Sequence, residues 1–215
     1  MGETDRIAGA IIAGGQSSRM QAGGLAGDKF LQQLGSQTII EHVAARLSPQ
    51  VDYLFLNANG DHHRLSGLDI PVISDSPSSH GGPLVGLKTA FEYAHDFPLM
   101  VSVAADSPFL PADLALQLDE RQKKTAARIV LASSNGQVHP IFGLWKTSLL
   151  FSLNEWLSHA EKASVLAFAH HIGFEDVDFP LMQLADGEIY DPFFNINRPE
   201  DLIEATRLNE ALNEP

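Results

Sequence analysis

The apolar run 7–13 breaks into Gly14-Gly15-Gln16-Ser17-Ser18-Arg19-Met20, and Asp28-Lys29-Phe30-Leu31 follows one short loop later. A strand that ends in paired glycines and hands over to a hydroxyl-bearing loop with two cations needs a fold whose strand ends open onto a ligand. Glycine lets backbone N–H groups approach phosphate oxygens with no Cβ in the way, and Arg19 and Lys29 supply the charge that a triphosphate requires. The same residues also describe a tight strand-to-helix turn with two surface cations. Two other nucleotide motifs are missing. A P-loop needs Gly-x-x-x-x-Gly-Lys followed by Ser or Thr, whereas Lys29 stands between Asp28 and Phe30. The dinucleotide fingerprint needs Gly-x-Gly-x-x-Gly, and the run from Gly14 to Arg19 lacks its second and third glycines, which argues against a nicotinamide dehydrogenase.

Apolar runs and helical patterns then alternate along the chain. Residues 7–13, 51–58, 70–74, 99–105 and 129–132 read as strands, most of them continuously apolar, as expected of a sheet covered on both faces. Ile40, Val43, Ala44 and Leu47 share one helical face, and so do Leu84, Leu87, Phe91 and Ala94. This alternation predicts an α/β fold: a single-domain three-layer α/β/α sandwich, covering residues 1–215, around a mainly parallel, mixed, Rossmann-like sheet. In the second half, 139–145 reads as a strand, 148–157 and 162–171 as helices, and 177–184 as ambiguous. The last helix opens at Pro199 with Glu200 and Asp201 in its first turn and buries Leu202, Ala205 and Leu208. The loop from Gln21 to Gly27, with three glycines in seven residues, is the most flexible internal stretch expected.

The 215 residues are enough for one layered core. A formal charge of −13 opposes non-specific binding to nucleic acid or anionic lipid, so neither nucleic acid nor membrane is expected as a partner. An anionic substrate would need a local cationic pocket or a metal ion. The N-terminal apolar run is too short to cross a bilayer and follows Glu3 and Asp5, not a basic n-region. With no cysteine, disulfides, thiolate metal sites and cysteine nucleophiles are excluded, which fits a cytoplasmic protein.

Open parallel sheets bind ligands at the carboxyl ends of their strands. The residues just beyond each candidate strand are the glycines with Arg19, then Asn57 and Asn59, then Asp75, then Asp106. Asp106, between an apolar run and Ser107-Pro108, suits a Mg²⁺ ion that keeps several waters and bridges one carboxylate to phosphates; a turn-capping aspartate before Pro108 is the other reading. His62-His63 and His170-His171 lack the further ligands a transition metal needs. His139, beside Pro140, reads as a buried or capping histidine or as a site residue. No Gly-x-Ser-x-Gly nucleophile motif is present.

Taken together these residues resemble a known family. Ile12-Ala13-Gly14-Gly15, Ser18-Arg19-Met20 and Asp28-Lys29 are similar to the nucleotidyltransferase signature of the glycosyltransferase-A-like fold. Asn57-Ala58-Asn59, Gly82-Pro83-Leu84-Val85-Gly86, Asp106-Ser107-Pro108, His139-Pro140 and Phe194-Asn195-Ile196-Asn197, in that order, resemble the molybdenum cofactor guanylyltransferases, the molybdopterin-guanine dinucleotide biosynthesis protein A family. The resemblance spans roughly Ile7 to Leu208. It implies transfer of GMP from GTP to the terminal phosphate of Mo-molybdopterin, with release of pyrophosphate. It further implies GTP contacts from Ile12, Ala13, Gly14, Gly15, Arg19, Lys29, Asn57, Asp75, Gly82 and Asp106, with Asp106 as the Mg²⁺ ligand. Arg19, Lys29 and Asp106 are the expected catalytic set, and His139, Asn195 and Asn197 the candidates for the acceptor side. The asparagines read equally as turn-forming amides before a helix. Molybdoenzyme chaperones or other cofactor-biosynthesis proteins are the candidate protein partners. The loop from Gln21 to Gly27 is longer than the family pattern.

Because the attacking phosphate and the triphosphate are both anionic, catalysis on such a site is mainly charge neutralisation and in-line positioning, with no protein base required. Guanine presents N1–H and a 2-amino group side by side, and Asp75 is one carboxylate able to accept both; a ribose or pterin contact is the alternative. Competing functions are a molybdopterin cytidylyltransferase, a sugar-1-phosphate nucleotidyltransferase and a non-catalytic GTP-binding regulator.

Overall fold

In the computed structural model, described over residues 6–13, 28–76, 81–160 and 163–213, the first strand settles how the sheet is covered. Side chains on a strand alternate between faces. Ala8, Ala10 and Ile12 of β1 (Ile7–Ile12) enter one hydrophobic cluster, and Ile7 and Ile11 enter another. Gly14, Gly15, Arg19 and the loop 21–27 lie outside the described residues.

After a 3-10 turn (Lys29–Leu31) come β2 (Gln33–Leu34), β3 (Gln37–Thr38) and α1 (Ile39–Leu47); then β4 (Tyr53–Asn57), β5 (Val72–Ile73) and α2 (Pro83–Tyr93). The chain continues through β6 (Leu99–Ala104), α3 (Leu114–Thr125), β7 (Ile129–Ser134), β8 (Gln137–Lys146), α4 (Leu150–His159) and α5 (Val165–Ile172). It closes with β9 (Glu175–Asp178), β10 (Met182–Gln183), β11 (Ile189–Tyr190) and α6 (Pro199–Asn213). Among the described residues, seven strands form the central sheet in the order β5-β4-β1-β6-β8-β7-β9. Strands β5, β4, β1 and β6 are parallel, and β8 runs antiparallel between β6 and β7. From β1 the chain moves outward to β4 and β5, then returns to place β6 on the other side of β1. The switch point of the sheet is therefore between β1 and β6, where the carboxyl ends of two parallel strands leave a crevice.

Helices α1 and α3 cover one face, packing Ile40, Val43, Leu47, Leu114 and Leu118 against Ile11, Val101 and Val103. Helices α2, α4 and α5 cover the other, packing Leu84, Phe91, Leu153 and Phe168 against Ala10, Met100, Leu131 and Trp145. The result is the three-layer α/β/α sandwich with a mixed, mainly parallel sheet that the alternation predicts. A third cluster, of Leu34, Ile39, Phe109, Tyr190, Ile196, Ala205 and Leu208, docks α6 and both hairpins on the site end of the molecule.

Local chemistry explains the helix starts nearest the site. Glu41 accepts from the Thr38 backbone N–H at 2.6 Å, half of a capping box that fixes the first turn of α1. Gly82 precedes Pro83 at the start of α2 with φ +96°, a conformation that a side chain resists. Three details depart from the sequence reading. The strand expected over 70–74 is only two residues long, the ambiguous segment 177–184 divides between β9 and β10, and α3 has no counterpart in the reading. Helix α3 is polar overall and buries only Leu114, Ala115, Leu118, Asp119 and Gln122, so its apolar stripe is too thin to stand out.

Candidate active site

The floor of the crevice is made by the ends of β1 and β6. Ala13 N–H donates to Asn57 O at 2.9 Å and Ala105 N–H to Ile12 O at 3.2 Å, so the parallel ladder continues to the last residue before the site. Asp106, 8% exposed, follows β6 directly. The Lys29 ammonium, delivered by the 3-10 turn, bonds Asp106 Oδ2 and also donates to Asn197 Oδ1 at 2.9 Å.

Two further bonds draw the C-terminal segment onto this pair, and two more brace that segment from within. Ile196 N–H donates to Asp106 O at 3.0 Å, the Ser107 hydroxyl donates to Asn195 Oδ1, and Asp201 Oδ2 accepts from Asn197 N and Arg198 N at 2.8 Å each. Asn195 and Asn197 are thus long-range partners of the β6 exit as well as residues of a turn before α6. A cavity of about 170 Å³ lies over Ile12, Ala13, Lys29, Pro83, Asp106 and Asn195. A second, of about 380 Å³, is lined by Val138, His139, Pro140, Ser164, Val165 and Leu166 and shares Pro83, Ile141 and Asn195 with the first. The two adjoin along those shared residues.

Toward β5, Asn57 is 1% exposed and donates through Nδ2 to Asp75 Oδ1 at 2.9 Å. Asn59 Nδ2 donates to Asp75 Oδ2 at 2.7 Å, and Asp75 N–H returns a bond to Asn59 Oδ1 at 2.8 Å. Both carboxylate oxygens of Asp75 therefore hold amides. Arg64 ties this loop to the cation turn, donating to Asp28 Oδ2 at 2.5 Å and to Asn59 O at 2.6 Å. Gly86 of α2 makes room for the arrangement, since a Cβ there would lie 2.5 Å from Asn57 Oδ1.

The described part of the expected set thus gathers around two centres: Ile12, Ala13, Lys29, Asp106, Asn195 and Asn197 at the switch point, and Asn57 with Asp75 beside it. Gly82 sits at the head of α2, next to Pro83 of both cavities. His139 borders only the second cavity. Burial lowers its pKa below the ordinary imidazole value, with Asp191 acting in the opposite direction. The sequence does not single out Arg64, Ser134 and Asp191, and it shows Gly86 and Ser107 only inside motifs, with no role of their own, because each matters through a partner distant along the chain.

Among the described residues no group of three or more His, Asp or Glu is arranged to hold a metal. His62 instead meets Ala58 O at 3.1 Å and Ser74 Oγ at 2.8 Å. One carboxylate facing a phosphate-sized cavity beside a lysine nevertheless suits Mg²⁺, which takes one or two protein oxygens and completes its shell with water and substrate. Oδ1 of Asp106 has no hydrogen-bond partner among the described residues and is the oxygen available for it. No helix among the described residues is long and apolar enough to cross a membrane.

The model of the MobA-like NTP transferase domain matches residues 9–173. A protein of Brucella ovis named molybdenum cofactor guanylyltransferase is 58% identical over 208 residues, 96% of this chain and 94% of that relative; its counterpart in Brucella melitensis biotype 2 is 57% identical over the same length. Among solved structures, molybdopterin-guanine dinucleotide biosynthesis protein A from Archaeoglobus fulgidus superposes with a TM-score of 0.71 at 20% identity, covering 94% of this chain and 98% of that one. At that identity the superposition shows the shared fold.

Proposed function

The chain belongs to the MobA-like NTP transferase family, and from that membership we propose that it transfers GMP from GTP to the terminal phosphate of Mo-molybdopterin, releasing pyrophosphate. The relatives that span nearly all of it carry the guanylyltransferase name, and neither the cytidylyl, the sugar-1-phosphate nor the regulatory alternative is favoured. The observation that carries the reading is the Lys29–Asp106 pair at the switch point, floored by β1 and β6 and continuous with a second cavity. A nucleotide in one cavity and an acceptor in the other would meet at Asp106.

In the reaction an oxygen of the acceptor's terminal phosphate attacks the α-phosphorus of GTP, and the bond from that phosphorus to the bridging α–β oxygen breaks as pyrophosphate leaves with the electron pair. The attacking phosphate is already largely ionised near neutral pH, so no side chain has to take a proton. Lys29 neutralises charge growing on the leaving group, with Arg19 assigned the same task by the family pattern. Asn57, held by Asp75, orients the nucleotide, and the backbone at Ile12 and Ala13 forms the floor. Asp106 is the residue to hold Mg²⁺, which supplies charge neutralisation at the phosphates when bound. His139, Asn195 and Asn197 are assigned to the acceptor. The product passes in the cytoplasm to molybdoenzyme chaperones or other cofactor-biosynthesis proteins.

The deciding experiment measures pyrophosphate release with GTP, CTP, ATP and UTP in the presence of Mo-molybdopterin and Mg²⁺. Release with GTP at least tenfold faster than with the others is expected. A preference for CTP, or no release with any nucleotide, would overturn the assignment.

A further inference from the structure

Ser134, fully buried at the end of β7, bridges two groups brought together by the fold: its hydroxyl donates to Asp191 Oδ2 at 2.8 Å and lies 2.6 Å from His139 Nε2. A hydroxyl carries one proton. With that proton committed to the carboxylate, the bond to His139 has to be donated by the imidazole Nε2–H, which leaves Nδ1 as the nitrogen with the free lone pair. Asp191 is itself fixed, since its Oδ1 accepts from Phe193 N at 2.9 Å. The ring cannot swing away from this bond. It stacks on Phe193 with centroids 4.6 Å apart and an interplanar angle of 26°, and Phe142 meets it edge-on at 6.2 Å.

Nδ1 has no hydrogen-bond partner among the described residues, and the ring lines the 380 Å³ cavity. Val138, Pro140, Ile141, Val165 and Leu166 give that cavity apolar walls. Among the described residues Asp191 is the one charged group acting on the imidazole from the elements packed around it, and burial outweighs it, so the ring is neutral near pH 7. A neutral imidazole between apolar walls offers nothing to a phosphate and suits the flat face and N–H edge of a heterocycle.

We propose that Ser134 and Asp191 are positioning residues that hold His139 as its Nε2–H tautomer, so that Nδ1 accepts a hydrogen bond from an N–H donor of the acceptor's pterin ring. This rests on the guanylyl-transfer reading and adds a direction to it. The heterocycle lies toward β8 and α5, and the phosphate end points across Pro83 and Asn195 to Lys29 and Asp106. A pterin edge carries ring N–H and amino donors next to one another, matching an acceptor nitrogen and mismatching a protonated one.

The test begins with the wild-type protein labelled with ¹⁵N-histidine. Long-range ¹H–¹⁵N spectra at pH 7.5 should show His139 neutral and protonated on Nε2; the Nδ1–H form, or an imidazolium, overturns the proposal without any variant having to fold. Ser134→Ala should mix the tautomers and raise KM for Mo-molybdopterin about tenfold, the loss of one oriented hydrogen bond, while KM for GTP stays within twofold. Ser134→Thr keeps the hydroxyl and should restore both the spectrum and KM, a rescue that a purely packing role would not give. Normal wild-type turnover with Ser134→Ala indistinguishable from it sinks the positioning role alone. A wild-type chain that releases no pyrophosphate from GTP and Mo-molybdopterin, with the expected His139 spectrum, sinks the guanylyl-transfer reading and with it the substrate named here.

Discussion

Lys29 and Asp106, 77 positions apart in the sequence, form an ion pair at the point where the chain reverses its direction across the sheet. The pair is partly shielded from solvent, so each charge depends on the other for compensation. On the proposed function, Asp106→Asn keeps a side-chain oxygen that can accept from Lys29, so the fold should persist with a melting temperature near that of wild type. Turnover should fall by a hundredfold or more, about 3 kcal/mol of transition-state stabilisation, because the carboxylate charge at the phosphates is gone. Steady-state pyrophosphate release within a few-fold of wild type would remove Asp106 from the catalytic set.

Lys29→Ala is expected to act differently, since Lys29 also donates to Asn197. GTP affinity or turnover should drop at least tenfold while the protein remains folded, and hydrogen exchange should quicken in the segment 194–198 that Lys29 helps to hold. Exchange-rate mapping alongside kinetics checks both halves. Normal kinetics combined with a lower melting temperature would make Lys29 a structural residue only.

The strand ends at Ile12, Asn57 and Asp106 were legible because they are local: an apolar run and the polar residue that stops it can be read from a dozen positions. The parallel pairing then follows from the α/β alternation, and with it the gathering of those ends. What could not be read depends on distant closure. Nothing near Asn195 says that Ser107 will reach it, and nothing near Ser134 points to Asp191, 57 residues on. Residues 70–74 looked like a strand by composition, but only Val72 and Ile73 pair with β4, whose partner at this outer position is an edge. At 70–74 the limit is the position at the sheet edge, and for α3 it is the thin apolar stripe.

The His139 environment predicts a pH dependence of stability. Its pKa is lower in the folded protein than in the unfolded chain, so as pH falls the unfolded chain takes up the proton first. The stability linked to neutral His139 is therefore complete above the ordinary imidazole value, near 6.5, and is lost as pH falls from there through the folded-state value. Urea titrations at pH 8 and at pH 5.5 should show a larger loss for wild type than for His139→Gln, which cannot titrate. An identical loss in the two proteins would assign the dependence to other groups.

One methyl group added at Gly86 should cost GTP affinity more than stability. A Cβ at this position would lie 2.5 Å from Asn57 Oδ1 and 3.1 Å from Ile12 Cγ2, and Asn57 cannot retreat without giving up Asp75. Gly86→Ala raises helix propensity in α2 by about 1 kcal/mol, so stability should change little while GTP affinity falls roughly tenfold through displacement of Asn57. Calorimetric titration with GTP measures the loss. Unaltered GTP affinity would mean that Asn57 does not touch the nucleotide.

Asp75 carries the last prediction, on base choice. Both of its oxygens already accept from amides, Asn57 at 2.9 Å and Asn59 at 2.7 Å, so its bonds in the structure orient Asn57 and leave one lone pair on each oxygen. If Asp75 acts through Asn57, Asp75→Ala and Asn57→Ala remove the same contact, and the double variant should bind GTP about as weakly as either single one. The expected coupling is 1 kcal/mol or more, within the range seen for residues in one hydrogen-bonded network. Asp75→Ala should also weaken GTP and ATP binding by similar factors, leaving base selection to the backbone near Ile12 and Gly82. Additive losses, or a fall in the GTP-over-ATP preference of tenfold or more in Asp75→Ala alone, would place the carboxylate on the guanine itself.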